Sequence, residues 1–399
     1  MDEELESSIG PSDLIPRLRN QGYDLLSVGK RRAWTEKRTG VSLRHSGACS
    51  FDTAQMRGNI ENVIGVTQVP LGVAGPILVR GEHADGIFYV PMATTEGALV
   101  RSYERGMTLL THAGGVQTRI EKDENHIAPS FFFDDVRAAG QFVEWVEPRL
   151  NDLRGAVAAT TRHGKLVRVQ CMQLGPQVLL RLHFSTGDAQ GMNMITRAAD
   201  AVRVWIAKNS PFPTDSMIFS GLSSEKRASG FIMTEGKGKR VTAGALVSAK
   251  LLKTYLRVSP EQMFKVWSST VRGHLQAGAL GFNAHIANGL TAMFLATGQD
   301  VANVANASCG ILSVEPRPEG IYISVTLPSL SIASVGGGVG LPSQREALEM
   351  MDCFGDGKAK KLAEIMTAAA LGGELSFAAA IASDEFSAAH ERYGRNRPA

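Results

Sequence analysis

Apolar and polar positions recur with helical period along residues 91–106, PMATTEGALVRSYERG, after a short polar turn. The pattern predicts a helix capped by Thr94 and Thr95, with Glu96 in its first turn and little room for water around that acid. An acid at a helix start ordinarily complements the helix dipole and caps free amides. Desolvation by the flanking apolar residues would instead raise the pKa of Glu96 until it can donate a proton near neutral pH.

Apolar residues alternate with polar ones, a repeat of two residues, in the segments 166–172 and 178–185. A Gly-Pro turn separates the two segments. This pattern predicts a β-hairpin. A predicted helix at 135–152 precedes the hairpin, and a second helix follows it. The grouping differs in character from its surroundings, which predicts a small inserted α+β domain at residues 133–218.

The remaining segments predict a helical leader and one large domain around the insertion. The leader covers residues 1–60, and the large domain combines residues 61–132 and 219–399. Glycine and proline punctuate residues 61–79, which favours short strands and turns there. Other predicted elements are strands at 86–90, 239–248, 310–314 and 321–327, helices at 260–277 and 283–297, and two or three helices between 344 and 389.

Composition is that of an ordinary globular protein. The chain has 399 residues, 44% hydrophobic and 20% charged, enough for two or three domains. With a net charge of +3 and only short basic runs, the sequence does not predict a nucleic-acid-binding surface. The acidic N-terminus and the lack of a long uninterrupted apolar run argue against a secretory signal or membrane association, so we expect a cytoplasmic protein. The four cysteines lack CxxC spacing and offer neither a metal site nor a disulfide framework.

Two glycine-rich segments could bring backbone amides close to a ligand. Residues 187–194, GDAQGMNM, lie where a helix is predicted to begin, so free amides and the positive end of the helix dipole could bind a phosphate. Residues 334–340, SVGGGVG, could approach a ring or a phosphate. A plain helix start explains the first segment equally well, and a bulge or strand end explains the second.

Four ionisable residues in separate segments could together reduce an acyl thioester. Lys226 lies in a polar loop, where it also fits an ordinary solvated charge cluster. Asp300 follows a predicted helix end and can cap the next segment. His390 lies in a late polar stretch, where most histidines are exposed. With Glu96, these residues supply two carboxyl groups, an ammonium and an imidazole, which is a sufficient set if the fold brings them together.

Several motifs, taken in their order and spacing, carry a family resemblance. They are ENVIG with VPLGVAGP, PMATTEG, GDAQGMNM, FNAHIANG, ATGQDVANV, SVGGGVGLP and AAHERYGR. Together they resemble the 3-hydroxy-3-methylglutaryl-coenzyme A reductases from about residue 58 to the end of the sequence. The class that includes the eukaryotic catalytic portion is the most similar.

The resemblance implies an α+β fold with a large domain around a central helix, an inserted small ferredoxin-like α+β cofactor domain, and a helical N-terminal leader. It implies NADPH as the cofactor, an acyl-coenzyme A as the small-molecule substrate, and no metal. It also implies a homodimer or higher homo-oligomer whose active site lies at the subunit interface.

The resemblance further implies a role for each reactive residue. Glu96 donates a proton to an aldehyde oxygen, and Asp300 is coupled to it. Lys226 stabilises the carbonyl oxygen, and His390 protonates the departing coenzyme A thiolate. Hydride attack on a thioester puts negative charge on oxygen, which a nearby ammonium stabilises strongly in a dry site.

Binding residues follow from the same resemblance. The implied substrate contacts are Ser220, Glu225, Arg227 and Asn283. The implied contacts to the nicotinamide nucleotide are Arg162, Asp188, Gly191, Met192, Asn193, Val335 and Arg395. A 2′-phosphate could be held by Arg162, or by Arg395 together with Arg392.

The sequence differs from the family pattern at positions that bind the free carboxylate of the substrate. The sequence reads Glu-Lys-Arg at 225–227 where the family usually has Asp-Lys-Lys, and family cations aligned near Ser269 and Phe132 are missing. The candidates for replacing them are Arg227, Arg272 and Lys265.

Three functions are therefore compatible with the sequence. The first is the four-electron reduction of 3-hydroxy-3-methylglutaryl-coenzyme A to mevalonate with NADPH. The second keeps the fold and the chemistry but uses another acyl thioester, as the missing cations would permit. The third is a catalytically silent coenzyme A or nucleotide-binding protein, against which the intact set of four reactive residues argues.

Overall fold

The computed structural model describes residues 15–16 and 22–383 of the chain. The strands in this part are β1 Leu71–Arg80, β2 Asp85–Ala93, β3 Val116–Ile127, β4 Ser130–Phe132, β5 Lys165–Leu174, β6 Gln177–Ser185, β7 Asp215–Met217, β8 Gly238–Ser248, β9 Ile311–Arg317 and β10 Gly320–Leu330. The helices of six or more residues are α1 Leu25–Thr39, α2 Leu99–His112, α3 Val136–Val146, α4 Leu150–Ala158, α5 Met192–Asn209, α6 Gly230–Glu235, α7 Pro260–Ala277, α8 Ile286–Thr297, α9 Pro342–Glu349 and α10 Ala359–Ala382. Shorter helical segments are Thr53–Met56, Glu147–Arg149, Ala249–Leu251, Leu252–Leu256, Val301–Asn303, Val304–Ala307 and Gly337–Gly340.

The larger core lies between an antiparallel sheet and the central helix α10. Strands β3, β8, β10 and β9 lie side by side in that order, and β1 joins the sheet by pairing in parallel with the start of β3. Helix α10 is almost wholly buried. It is apolar and long enough to cross a membrane, but 78% of its most apolar window is buried inside the protein. That burial is expected of a helix at the centre of a folded core.

Helices α2 and α10 touch through their backbones. A Cβ atom built on Gly106 of α2 would overlap the carbonyl oxygen of Gly372 in α10. Glycine on both helices therefore permits an approach that any side chain would prevent. This contact fixes the position of α2, and with it the turn that precedes α2, relative to the centre of the protein.

A second core has the strand order of a ferredoxin-like fold. Strands β7, β4, β6 and β5 are neighbours in that order, each pair antiparallel. Helices α3, α4 and α5 pack on one face, with the aromatic rings of Phe131, Phe142 and Phe184 buried beneath them. The β5–β6 hairpin, including its Gly-Pro turn, confirms the sequence prediction.

Strand β3 connects the two cores. Its first part pairs with β8 of the larger sheet, and its last residues, 125–127, pair with β6 of the smaller one. The domain boundaries at 132/133 and 218/219 stay a prediction, because one continuous strand contributes to both cores.

The leader packs as a small third cluster. Tyr23, Val28, Met56 and Val63 are buried together. The guanidinium of Arg31 is also buried, and its Nε donates to the Val63 carbonyl oxygen at 2.9 Å. The described part of the leader is therefore helical and attached to the following segment.

Two predicted elements differ in the structure. The helix expected at 135–152 is divided into α3 and α4 by the turn Glu147–Arg149, because Pro148 has no N–H to continue a helix. The short strands expected at 61–79 are replaced by the ten-residue strand β1, whose register with β2 shifts between Ala74 and Ile77.

Candidate active site

Lys226 and Asp300 form an ion pair, with Lys226 Nζ 2.8 Å from Asp300 Oδ2. The other oxygen of Asp300 accepts the backbone N–H of Ala302 at 3.2 Å and so caps the turn that follows. Both side chains are partly open to solvent, with 44% of the Lys226 side chain and 35% of the Asp300 side chain exposed. The pair is therefore fixed by the chain on one side and accessible on the other.

The loop that carries Lys226 has an unusual backbone. Ser224 and Lys226 have φ of 47° and 58°, in the left-handed region that residues with a Cβ rarely adopt. The Asn306 side-chain amide donates to the Ser224 carbonyl oxygen at 3.0 Å, and the Ser229 hydroxyl donates to the Ser224 hydroxyl oxygen at 3.0 Å. Conformations of this kind persist only where the surroundings hold them, and they cluster at functional sites.

Glu225 is directed into the protein, away from its exposed neighbours. Its Oε2 lies 2.9 Å from Nζ of Lys237, which is almost completely buried and also donates to the His126 carbonyl oxygen at 2.6 Å. Burial lowers the pKa of Lys237, and the Glu225 carboxylate opposes that shift. Arg227, next to Lys226, is exposed. The buried pair anchors the loop, and a substrate contact by Glu225 stays a prediction.

Glu96 does not lie where its sequence pattern suggested. Helix α2 begins at Leu99, three residues later, and Ala98 before it has φ of 70°. Glu96 lies in the preceding turn and is exposed within this chain, so the expectation of a capped, desolvated first-turn acid was wrong. Thr94 stabilises the turn, because its hydroxyl oxygen accepts the Glu96 N–H at 3.0 Å.

Asn288 is the side chain that holds Glu96, and the sequence analysis missed it. Asn288 lies in the first turn of α8, and its amide donates to Glu96 Oε2 at 2.9 Å. Asn283, which the resemblance suggested, donates instead to the carbonyl oxygens of Ser308 and Gly310. Both asparagines belong to the motif FNAHIANG, and their spacing alone does not show which one faces the acid.

The two polar pairs lie near opposite ends of α8. Glu96 meets Asn288 at its start, and Asp300 follows its end at Thr297. Thr297 follows Asn288 by nine residues of this helix, which at the rise of an α-helix is about 14 Å. One chain therefore presents two separate half-sets of reactive groups.

The two glycine-rich loops are brought together by Asp188. Its carboxylate accepts the N–H groups of Gly357 at 2.7 Å and Ala359 at 3.0 Å, at the start of α10, and the Ser334 hydroxyl at 3.4 Å. The Ser334 N–H donates to the Asp188 carbonyl oxygen at 2.9 Å. Partial burial acts to raise the pKa of Asp188, but the hydrogen bonds from Ala359 and Gly357 outweigh it and the pKa is lowered.

The start of α5 offers backbone amides beside these loops. Gly191 precedes the helix with φ of 82°, and a Cβ there would crowd Thr186. Met192 is half-buried and Asn193 is exposed. Val335, in the neighbouring loop, is also half-buried. A ligand with phosphate and ring groups can therefore approach backbone amides on this side.

The remaining predicted residues have simpler positions. The Ser220 hydroxyl donates to the Ala128 carbonyl oxygen at 2.7 Å, and Arg162 is exposed. His390 and Arg395 lie outside the described residues. Among residues 15–16 and 22–383, no group of three or more His, Cys, Asp or Glu side chains could hold a metal ion.

Comparisons with known proteins place this chain in a family. The sequence model of a family described as hydroxymethylglutaryl-coenzyme A reductase matches residues 27–395. The chain is 45% identical over 383 residues to the 3-hydroxy-3-methylglutaryl-coenzyme A reductase of Pyrococcus abyssi, covering 94% of each protein. It is 42% identical over 373 residues to the enzyme of that name from Aeropyrum pernix, covering 92% of this chain and 89% of that one.

A solved structure has the same fold. It is described as the class II 3-hydroxy-3-methylglutaryl-CoA reductase from Streptococcus pneumoniae bound to NADPH in open conformations. It superposes with a TM-score of 0.68 at 18% identity, over 88% of this chain and 96% of that chain.

Proposed function

The chain belongs to the hydroxymethylglutaryl-coenzyme A reductase family, and on that premise we propose that it reduces 3-hydroxy-3-methylglutaryl-coenzyme A to mevalonate and coenzyme A. The balanced reaction consumes two NADPH and two protons. The observation that carries the proposal is the Lys226–Asp300 ion pair in a conformationally constrained, accessible loop. A partly exposed ammonium held by a carboxylate is suited to an oxyanion that forms during reaction.

Each reactive residue has a definite task in this proposal. NADPH, when bound, supplies the hydride. Lys226 stabilises the oxygen that becomes negative when the thioester carbonyl is attacked, and Asp300 holds the Lys226 ammonium in position. His390 protonates the thiolate as the carbon–sulfur bond breaks. Glu96 donates a proton to the aldehyde oxygen in the second reduction, and Asn288 orients the Glu96 carboxylate.

The cofactor fits the surface formed by the two glycine-rich loops. We propose that the amides around Gly191, Met192 and Asn193 bind its phosphates, and that Val335 contacts the nicotinamide side. Asp188 holds the two loops together, so it acts on the cofactor through their shape. We assign the 2′-phosphate to Arg162 or Arg395, which would make NADPH the preferred nucleotide.

We propose that the enzyme is a homodimer with its active site at the subunit interface. The half-sets at the two ends of α8 support this, because Asn288, which holds Glu96, and Thr297, which precedes Asp300, are about 14 Å apart along the helix. A second chain can bring Glu96 of one subunit to Lys226 of the other. The hairpin β1–β2 also has an exposed apolar face that could be covered by a partner, formed by Leu71, Val73, Ile87 and Tyr89.

Domain limits and location follow from the same proposal. We assign residues 1–60 to the leader, 133–218 to the cofactor domain and the rest to the large domain. Most of the second hydrophobic cluster falls within 133–218, although Ile127 and Phe131 precede that range, and Val63 of the leader cluster follows residue 60. A cytoplasmic location suits four free cysteines, since disulfides are rare in that compartment.

A different acyl thioester is the second candidate substrate. Two observations favour testing it: Glu225 is bound to buried Lys237, and Ser269 stands where a cation was expected. Arg227 and Arg272 are exposed cations that could hold the glutaryl carboxylate instead.

One assay tests these substrates together. Purified protein is mixed with NADPH and either 3-hydroxy-3-methylglutaryl-coenzyme A or other acyl thioesters, and nucleotide oxidation is followed by absorbance. We expect turnover with the first substrate alone. Turnover with another thioester only would replace the assignment, and binding without turnover would indicate a silent protein. Equal efficiency with NADH would remove the NADPH preference and leave the reaction assigned.

A further inference from the structure

A buried carboxylate caps the helix that carries Asn288. Glu374, in the middle of α10, is fully buried. Its Oε2 accepts the Ala284 N–H at 2.6 Å, and its Oε1 accepts the His285 N–H at 2.8 Å. His285 is the residue before α8 and makes no capping hydrogen bond with its own side chain. Glu374 thus holds, from another helix, the two amides that lead into α8, while Asn283 Oδ1 accepts the first helical N–H, that of Ile286, at 3.4 Å.

The capped turn leads directly to the proposed proton donor. Asn288 lies in the first turn of α8, and its backbone N–H donates to the His285 carbonyl oxygen at 3.1 Å. The Asn288 side chain then donates to Glu96 at 2.9 Å. A shift of the amides held by Glu374 would therefore move the Asn288 side chain relative to Glu96.

Tyr103 leaves this part of the protein little freedom to adjust. Its ring lies 5.5 Å from the His285 ring, and Cβ atoms built on Gly289 or Gly373 would overlap it. Tyr103 belongs to α2, Gly289 to α8 and Gly373 to α10, so all three helices meet there. Burial, followed by the nearby Glu374 and Glu96 carboxylates, raises the pKa of Tyr103 well above its usual range.

We propose that Glu374 is a positioning residue for the reduction: it holds the first turn of α8 so that Asn288 keeps Glu96 in its reactive orientation. The inference rests on the proposed function. It adds a residue that touches neither substrate nor cofactor and acts through Asn288.

Replacement by Gln isolates this role. A glutamine side chain keeps the size of Glu374 but presents an NH2 group to one of the two backbone donors, so one hydrogen bond is lost and two donors face each other. We expect the kcat of Glu374→Gln to fall on the order of tenfold to a hundredfold, as small misplacements of catalytic groups do. The dissociation constant of NADPH and the KM for the thioester should stay close to those of the wild type.

The matched control is Glu364→Gln. Glu364 is also fully buried in α10, and it accepts the backbone N–H groups of residues 82–84, at the turn between β1 and β2. Its replacement causes a comparable loss of buried hydrogen bonds away from Asn288. We expect a lower stability with nearly unchanged kcat, measured well below the unfolding temperature.

A double-mutant cycle in kcat decides the proposal. If Glu374 acts through Asn288, Glu374→Gln added to Asn288→Ala should cause less than about a twofold further loss. Losses that multiply, or a kcat loss equal to that of Glu364→Gln, would overturn the proposal. Glu374→Asp takes the place of the Gln variant in the same cycle if the latter does not fold. Failure of the proposed function differs from both results, because the wild type itself would then not reduce the substrate.

Discussion

The Lys226 ammonium lies 2.8 Å from Oδ2 of Asp300, while Oδ1 of the same carboxylate accepts the Ala302 amide. Rotation of the Asp300 side chain would break one of these contacts. The lysine charge is therefore oriented before any ligand arrives, and it can meet a developing oxyanion without reorganisation of its surroundings.

Lys226→Ala should remove turnover and retain the cofactor. We expect kcat to fall on the order of a hundredfold or more, because the ammonium acts on charge that appears only as hydride arrives. NADPH binding, measured by nucleotide fluorescence, should change little. Lys253→Ala, which removes an exposed lysine from the helical segment Leu252–Leu256, is the control for loss of a surface charge. Near-normal turnover of the Lys226 variant would assign the oxyanion role to another cation, with Arg227 tested next.

Two inactive variants should restore each other in mixed dimers. If Glu96 of one subunit works with Lys226 of its partner, a dimer of Glu96→Gln with Lys226→Ala holds one intact site and one doubly changed site. Random mixing of equal amounts, after dissociation and reassembly, should give about a quarter of wild-type activity. Either variant mixed with itself is the control. No recovery in verified mixed dimers would mean that both residues of a site come from one chain.

His390 should matter for one half of the reaction. Reduction of the thioester releases a thiolate that needs a proton, whereas reduction of supplied mevaldehyde does not. We expect His390→Gln to slow the thioester reaction on the order of a hundredfold and the aldehyde reaction far less. Glu96→Gln should slow the aldehyde reaction as well. Equal losses on both substrates for the His390 variant would refute the leaving-group role.

Glu374 should make folding stability fall as pH rises. Burial raises its pKa from 4.5 to about 7, although the amides of Ala284 and His285 oppose the shift. The folded protein therefore binds more protons than the unfolded chain between these values. Its stabilising contribution is complete below pH 4.5 and is lost as pH rises through about 7, by at most about 3 kcal/mol.

The measurement compares Glu374→Gln with the wild type by urea unfolding across this pH window. Burial lowers the pKa of His126 to about 3, of His183 to about 2 and of His285 to about 4, and these groups give the opposite slope. The difference between the two proteins removes that shared contribution. The stability of the variant relative to that of the wild type should rise with pH, and a difference that does not change with pH would contradict the assignment.

The pattern of apolar and polar residues predicted secondary structure correctly where the structure of a segment depends mainly on its own residues. The β5–β6 hairpin follows from alternation on either side of a Gly-Pro turn, and α7 follows from helical period with Ser259 as its cap. Strand β3 was not predicted, because charged residues fill its middle. Ion pairs with residues distant in sequence stabilise these charges in the strand: Lys122 with Glu235, Asp123 with Lys239 and Glu124 with Arg168. The spacing of residues in the sequence does not reveal such partners.

The candidate site was predictable mainly through the family resemblance. Lys226 and Asp300 are ordinary residues in their local contexts, and their pairing depends on the tertiary fold. The exposure of Glu96 depends on the left-handed backbone conformation of Ala98. Residues with a Cβ rarely adopt that conformation, so the sequence does not predict it. The choice of Asn288 over Asn283 depends on which side of a helix start faces α2.

Because β3 is continuous through both sheets, it couples the unfolding of the two cores. The first part of this strand pairs with β8 and its last residues pair with β6. Unfolding of the smaller core would therefore remove hydrogen-bond partners from a strand that also belongs to the larger sheet. Loss of either core therefore weakens the other, and the two should melt in one cooperative transition. The inserted segment can be distinct in its packing and in its task without being an independent folding unit.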